Sequence, residues 1–146
     1  MADCGLCLAY KEDYRVVFRN EDAVSVVITN PYNTGHLMIM PRRHVLELGN
    51  LTANESLAVN EILSKSQQRL AEVFPDSQPV LGMNSGIHST QPHVHYQILP
   101  SDISFRGFYR AAHPSGALEG VKKDQVITYP AYSERSLEEI ARMLRC

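Results

Sequence analysis

The chain has 146 residues, 44% hydrophobic and 21% charged, with a formal net charge of -2. That length suits one domain spanning residues 1–146 rather than two, able to bury a core without disulfides. The basic residues come in small pairs, Arg42-Arg43 and Lys122-Lys123, so there is no cationic stripe for nucleic acid and a small anionic ligand fits better. The segment Met1-Ala-Asp-Cys-Gly-Leu-Cys7 lacks a basic stretch followed by an apolar one, and no apolar run approaches membrane-spanning length. A cytoplasmic location without a membrane partner is the expectation, and the cysteines there should be reduced thiols or metal ligands.

In chain order, Arg15-Val-Val-Phe18 and Val24-Ser-Val-Val-Ile28 read as two strands around the turn-forming Asn20-Glu-Asp22. His36-Leu-Met-Ile-Met40 is a third strand, following the turn Asn30 to Gly35 and stopping at Pro41, which has no N–H for a ladder. Thr52-Ala-Asn-Glu55 has capping-box spacing. Val59, Ile62, Leu63, Leu70, Val73 and Phe74 then recur at helical intervals until Pro75, which predicts one long helix. Pro79 to Met83 and His93 to Leu99 supply two further strands, and Ser136 to Leu144 a last helix, with Ser136 and Glu139 at capping-box spacing. Residues 101–130 give no clear pattern. The predicted fold class is therefore α+β: an antiparallel meander of about five strands, one long helix and a C-terminal helix.

The most informative stretch is Gln91-Pro-His-Val-His-Tyr-Gln-Ile-Leu-Pro100. Side chains alternate across a strand, so His93, His95, Gln97 and Leu99 should share one face and Val94, Tyr96 and Ile98 the other. The first face aims a polar row at a site; the second can pack on a core. Such a row suits chemistry at phosphorus, because a neutral imidazole is a good nucleophile near pH 7 and a phosphorylated imidazole is a good leaving group. The bland alternative is a solvent-facing edge strand that happens to hold two histidines.

Cys4-Gly-Leu-Cys7 is the second constellation. A redox pair of this spacing usually follows a strand inside a βαβ unit, which is absent here, so metal is favoured. A structural zinc needs four ligands, and His44 with His93 are the best-placed candidates for the other two. The alternative is a pair of small, partly buried thiols.

Three blocks together, Cys4-x-x-Cys7, Asn30 through His44 and Asn84 through Pro100, resemble the histidine triad superfamily in order and spacing around a central helix. The resemblance implies an antiparallel sheet with a long helix, a twofold homodimer, and nucleotide chemistry through a covalent nucleotidyl-histidine, with His95 as nucleophile. A glutamine at position 97, where most small hydrolases of the superfamily carry a third histidine, resembles its nucleotidyltransferase and phosphorylase branch. In that branch a structural zinc is held by residues that map onto Cys4, Cys7, His44 and His93. His36 resembles a histidine near the reactive imidazole. Asn84 and Thr90 resemble phosphate-binding residues and, with Gln97, could stabilise charge on a nonbridging oxygen.

Two positions depart from the pattern. The ribose-gripping acidic residue or asparagine is replaced by Ile28, leaving Thr29 or Asn30 as substitutes, and Ser89 stands where a glutamine is common. His88 is either a pocket residue or a surface one. The expected function is hydrolysis or nucleotidyl transfer at an alpha-phosphorus of a dinucleoside polyphosphate or related nucleotide, with water, phosphate or a sugar phosphate as acceptor. A catalytically weak nucleotide-binding or interaction protein is the alternative, and the intact His95 argues against it.

Overall fold

The computed structural model describes residues 4–83, 91–101 and 132–145. A short helix α1 (Gly5–Ala9) leads into β1 (Val16–Arg19), β2 (Ala23–Val27) and β3 (Leu37–Pro41). Helix α2 (Ala53–Val73) follows, then β4 (Gln78–Gly82), β5 (Tyr96–Ser101) and α3 (Glu134–Arg145). The architecture is α+β, as predicted, with one five-stranded sheet in the order β1-β2-β3-β5-β4. Each neighbouring pair is antiparallel.

The meander holds through β3 and then breaks. Helix α2 has 21 residues, about 30 Å of rise. It carries the chain past the position beside β3 to the sheet edge, where β4 forms, and β5 returns into the gap. Its start is fixed as the sequence indicates: Thr52 Oγ1 accepts the Glu55 N–H at 3.2 Å, and the Glu55 carboxylate accepts the Thr52 N–H at 2.8 Å.

The two sheet faces have different covers. Ala23, Val27, Leu37, Ile39 and Ile98 pack with Val59, Ile62 and Leu70 of α2 and Leu137, Ala141 and Leu144 of α3. Val16, Val24, Val26 and Met40 pack on the other face against Cys4, Leu6 and Ala9 around α1. Strand β2 is consequently buried at every residue. The five-residue α1 is too short and too weakly patterned to be read from sequence, yet it is what brings the cysteine pair onto the sheet.

Two predicted details are corrected. The cap of α3 is Ser133 rather than Ser136: the Ser133 hydroxyl accepts the Ser136 N–H at 3.2 Å, and Glu139 pairs with Arg135 at 2.9 Å instead of reaching back to a cap. Strand β5 begins at Tyr96, so His93, Val94 and His95 precede it. The β3–β5 ladder pairs Leu37 with Ile98, Met38 with Gln97 and Ile39 with Tyr96; carried on, it would set Val94 opposite Pro41. Pro41 has no N–H to give, and its carbonyl is taken by the His93 imidazole at 2.9 Å. The Val94 N–H turns instead to the Val45 carbonyl at 2.7 Å.

Candidate functional site

Gln97 lies opposite Met38 in the β3–β5 ladder, and Met38 belongs to the cluster under α1, so the Gln97 side chain is on the face away from α2. His36, two residues before Met38, joins it there. Gly35 makes that entry possible: its φ of +98° is a backbone conformation that side chains strain, and a Cβ there would come within 2.7 Å of the Phe74 ring.

The hydrogen bonds fix the protons on His36. The Tyr32 backbone N–H, which can only donate, reaches His36 Nδ1 at 3.1 Å. Nδ1 therefore carries the lone pair, and His36 Nε2–H donates to Gln97 Oε1 at 2.9 Å. This pins the carboxamide by its oxygen and leaves its NH2 group as the end available to an anion. The Tyr32 ring stacks on the His36 imidazole with centroids 5.3 Å apart. Burial pushes His36 down from 6.5 to about 4, opposed by the Gln97 hydrogen bond and reinforced by His95.

A pH dependence follows from this buried, neutral imidazole. Its native pKa lies below its unfolded value, so its contribution to stability is fully present above about pH 6.5 and is lost as the pH falls through about 4. The loss should be on the order of 3 kcal/mol. Melting curves collected from pH 7.5 to 4 should fall more steeply for wild type than for His36→Asn, and superimposable profiles would contradict the assignment.

His95 is buried, with 1% of its surface exposed. Its Nδ1 lies 2.7 Å from the carbonyl of His93, and a carbonyl only accepts, so Nδ1 carries the proton and Nε2 the lone pair. The tautomer is thus set by the chain's own backbone, two residues upstream.

Cys4, Cys7, His44 and His93 converge beside these residues, their ligand atoms all within 4.8 Å of one another. His93 Nε2–H is given to Pro41, which turns Nδ1 toward the sulfurs: 3.7 Å to Cys4 Sγ and 3.4 Å to Cys7 Sγ. His44 Nδ1 is 3.2 Å from Cys7 Sγ, and the two imidazoles meet edge to face. A tetrahedral zinc with two sulfur and two nitrogen ligands requires sulfur-to-nitrogen edges of about 3.5 Å, so the four side chains already stand near the required spacing. Burial also keeps the His93 imidazole below its usual range, in the neutral form that a metal requires.

The predicted residues thus divide into three sets. His36, Gln97, His95 and the four sulfur and nitrogen donors are gathered along one side of the sheet. Asn30 is exposed in the turn after β2, Ile28 is buried, and the Thr29 carbonyl is taken by the Tyr132 N–H at 2.8 Å. Asn84, His88, Ser89 and Thr90 lie outside the described residues. Sequence reading missed Tyr32, whose N–H sets the His36 tautomer, and the Arg43–Glu55 pair beside His44. The second had a visible signal, since Glu55 was already placed by its capping-box spacing and Arg43 adjoins a candidate ligand.

The HIT domain family matches residues 10–103. The chain belongs to this family. The matched segment begins after Cys4 and Cys7. A bis(5'-nucleosyl)-tetraphosphatase of Schizosaccharomyces pombe is 32% identical over 88 residues, 59% of this chain and 48% of the relative. An AP-4-A phosphorylase of Mycobacterium tuberculosis is 34% identical over 95 residues, 61% of this chain and 47% of the relative. The HIT chain therefore spans about half the length of these two curated relatives. Among solved structures, a zinc-bound histidine triad family protein from Mycobacterium smegmatis superposes with a TM-score of 0.68 at 15% identity, covering 99% of this chain and 91% of that one. At that identity the likeness is one of fold. Among the described residues, no helix of the HIT chain is long and apolar enough to cross a membrane.

Proposed function

We propose that this protein cleaves a dinucleoside polyphosphate or related nucleotide at an alpha-phosphorus through a covalent nucleotidyl-His95. The observation that carries the reading is the His95 Nδ1–H bond to the His93 carbonyl, which fixes the lone pair on Nε2 without requiring a carboxylate partner. The Nε2 lone pair attacks phosphorus, the bond to the leaving phosphate oxygen breaks, and that oxygen departs with the electron pair. An acceptor oxygen then attacks the adduct, the nitrogen–phosphorus bond breaks, and the pair returns to Nε2 as the acceptor loses its proton. The Gln97 NH2, oriented by His36, steadies a nonbridging oxygen, together with Asn84 and Thr90; Ser89 and Asn30 contribute to substrate binding. The names of the two curated relatives, a tetraphosphatase and a phosphorylase, support this substrate class and both acceptors.

In the same reading Cys4, Cys7, His44 and His93 hold one zinc, which when bound supplies structural cross-linking rather than chemistry. The donor set and its spacing support it. His93, committed to the metal through Nδ1, then holds the backbone carbonyl that orients His95. The functional unit in this reading is one domain, paired as a twofold homodimer in the cytoplasm, with small nucleotides and no nucleic acid as partners.

The acceptor is tested through Gln97. A carboxamide steadies an oxygen but does not titrate near neutrality, whereas a histidine there could take a proton from water. Wild type should hydrolyse slowly at saturating nucleotide, turn over faster with added phosphate, and on Gln97→His shift product from the phosphorolytic to the hydrolytic species. Fast wild-type hydrolysis indifferent to phosphate, unchanged in the variant, would leave water as the acceptor.

A further inference from the structure

Glu55 is a buried carboxylate that the nucleotide chemistry does not use, with 5% of its surface exposed. Its Oε1 accepts from Arg43 Nε at 2.6 Å and its Oε2 from the second guanidinium nitrogen at 2.8 Å, a two-pronged pair. Oε2 also takes the Thr52 N–H at 2.8 Å, and the same Arg43 nitrogen donates to the Asn50 carbonyl at 3.0 Å. Arg43 bonding, followed by the Thr52 hydrogen bond, holds the Glu55 carboxyl down at about 2, so it is ionised throughout the working pH range. The pair is therefore a permanent bolt between the first turn of α2 and the loop after β3.

That loop holds His44, the residue next to Arg43. The Arg42 N–H is tied to the Asp22 carbonyl at 2.8 Å, and the Val45 carbonyl to the Val94 N–H at 2.7 Å, so the loop is anchored on both sides of the imidazole. Between these anchors, the Arg43 side chain is what fixes the segment to the helix. We propose that the Arg43–Glu55 pair is a positioning brace for His44, preorganising its Nδ1 as the fourth metal donor. The inference rests on the proposed metal site.

Cobalt(II) is the probe, added to the metal-free full-length chain under reducing conditions. Affinity is read by competition with a chelator, and geometry from the visible bands of tetrahedral cobalt. Arg43→Ala and Glu55→Gln should each weaken binding about tenfold or more and broaden or shift those bands, as loss of an outer-shell partner does. Thr52→Ala serves as the control. It loses the hydroxyl half of the capping box, and so loosens the same helix turn, while sparing the Arg43–Glu55 contact; it should bind cobalt as wild type does. Arg43→Ala and Glu55→Gln proteins that bind as tightly as wild type, with unchanged bands, would overturn the brace. Equal weakening in Thr52→Ala would also overturn it, reducing the pair to general helix stability. Wild type that takes up no cobalt would instead remove the metal site itself.

Discussion

His95→Ala will lower turnover by about four orders of magnitude or more while leaving the protein folded. The imidazole supplies the attacking lone pair, and no other group in the described site is positioned to replace it: His36 has its lone pair committed to the Tyr32 N–H, and His93 faces the cysteines. The structural loss is modest because the Nδ1–H bond to the His93 carbonyl is local to the segment. A cavity and that bond together amount to about 2–3 kcal/mol. Intact mass spectrometry after a mildly basic quench, which spares a nitrogen–phosphorus bond, should show the adduct on wild type incubated with nucleotide and none on the variant. An adduct that persists in His95→Ala would place the nucleophile elsewhere.

Removing the metal will destabilise the fold rather than simply slow turnover. Purified, reduced protein should contain one zinc per chain, and a strong chelator should lower its melting temperature sharply, since binding energy at a structural zinc site reaches on the order of 10 kcal/mol. Cys7→Ser should reproduce the effect without chelator. Elemental analysis finding no zinc in protein with both thiols reduced, or a melting curve indifferent to chelation, would contradict this.

How much of this was legible in the sequence follows from the range of the interactions involved. Local signals were readable: Asn20 accepts the N–H groups of Asp22 and Ala23 to close the first turn, and Thr52 with Glu55 caps α2 as their spacing indicates. The set Cys4, Cys7, His44 and His93 was legible because ligand chemistry restricts the choice to few residue types. What the sequence concealed was set by partners distant in the chain. The insertion of β5 between β3 and β4 leaves no mark on the strands, and the early end of the β3–β5 ladder depends on Pro41 meeting Val94 in three dimensions. Likewise, alternation along His93 to Leu99 gave the correct side for Gln97 but not the protonation of its neighbours. The tautomers of His36 and His95 depend on a Tyr32 amide and a His93 carbonyl, backbone groups that no composition reveals.

The four sulfur and nitrogen donors also bear on how the molecule assembles. Cys7 meets His44 across 37 positions of chain and His93 across 86, and Cys4 meets His93 across 89. Closing loops of that length in an unstructured chain carries an entropic penalty that grows by about 0.6 kcal/mol with each doubling, and non-local contacts of this kind form late. The cysteine pair alone is local; the histidines are expected to join it once β3 and β5 have found their register. With the proposed metal site, tight capture should mark the final stage of folding, and the rate at which tetrahedral cobalt bands develop during refolding should time the docking of α1 onto the sheet.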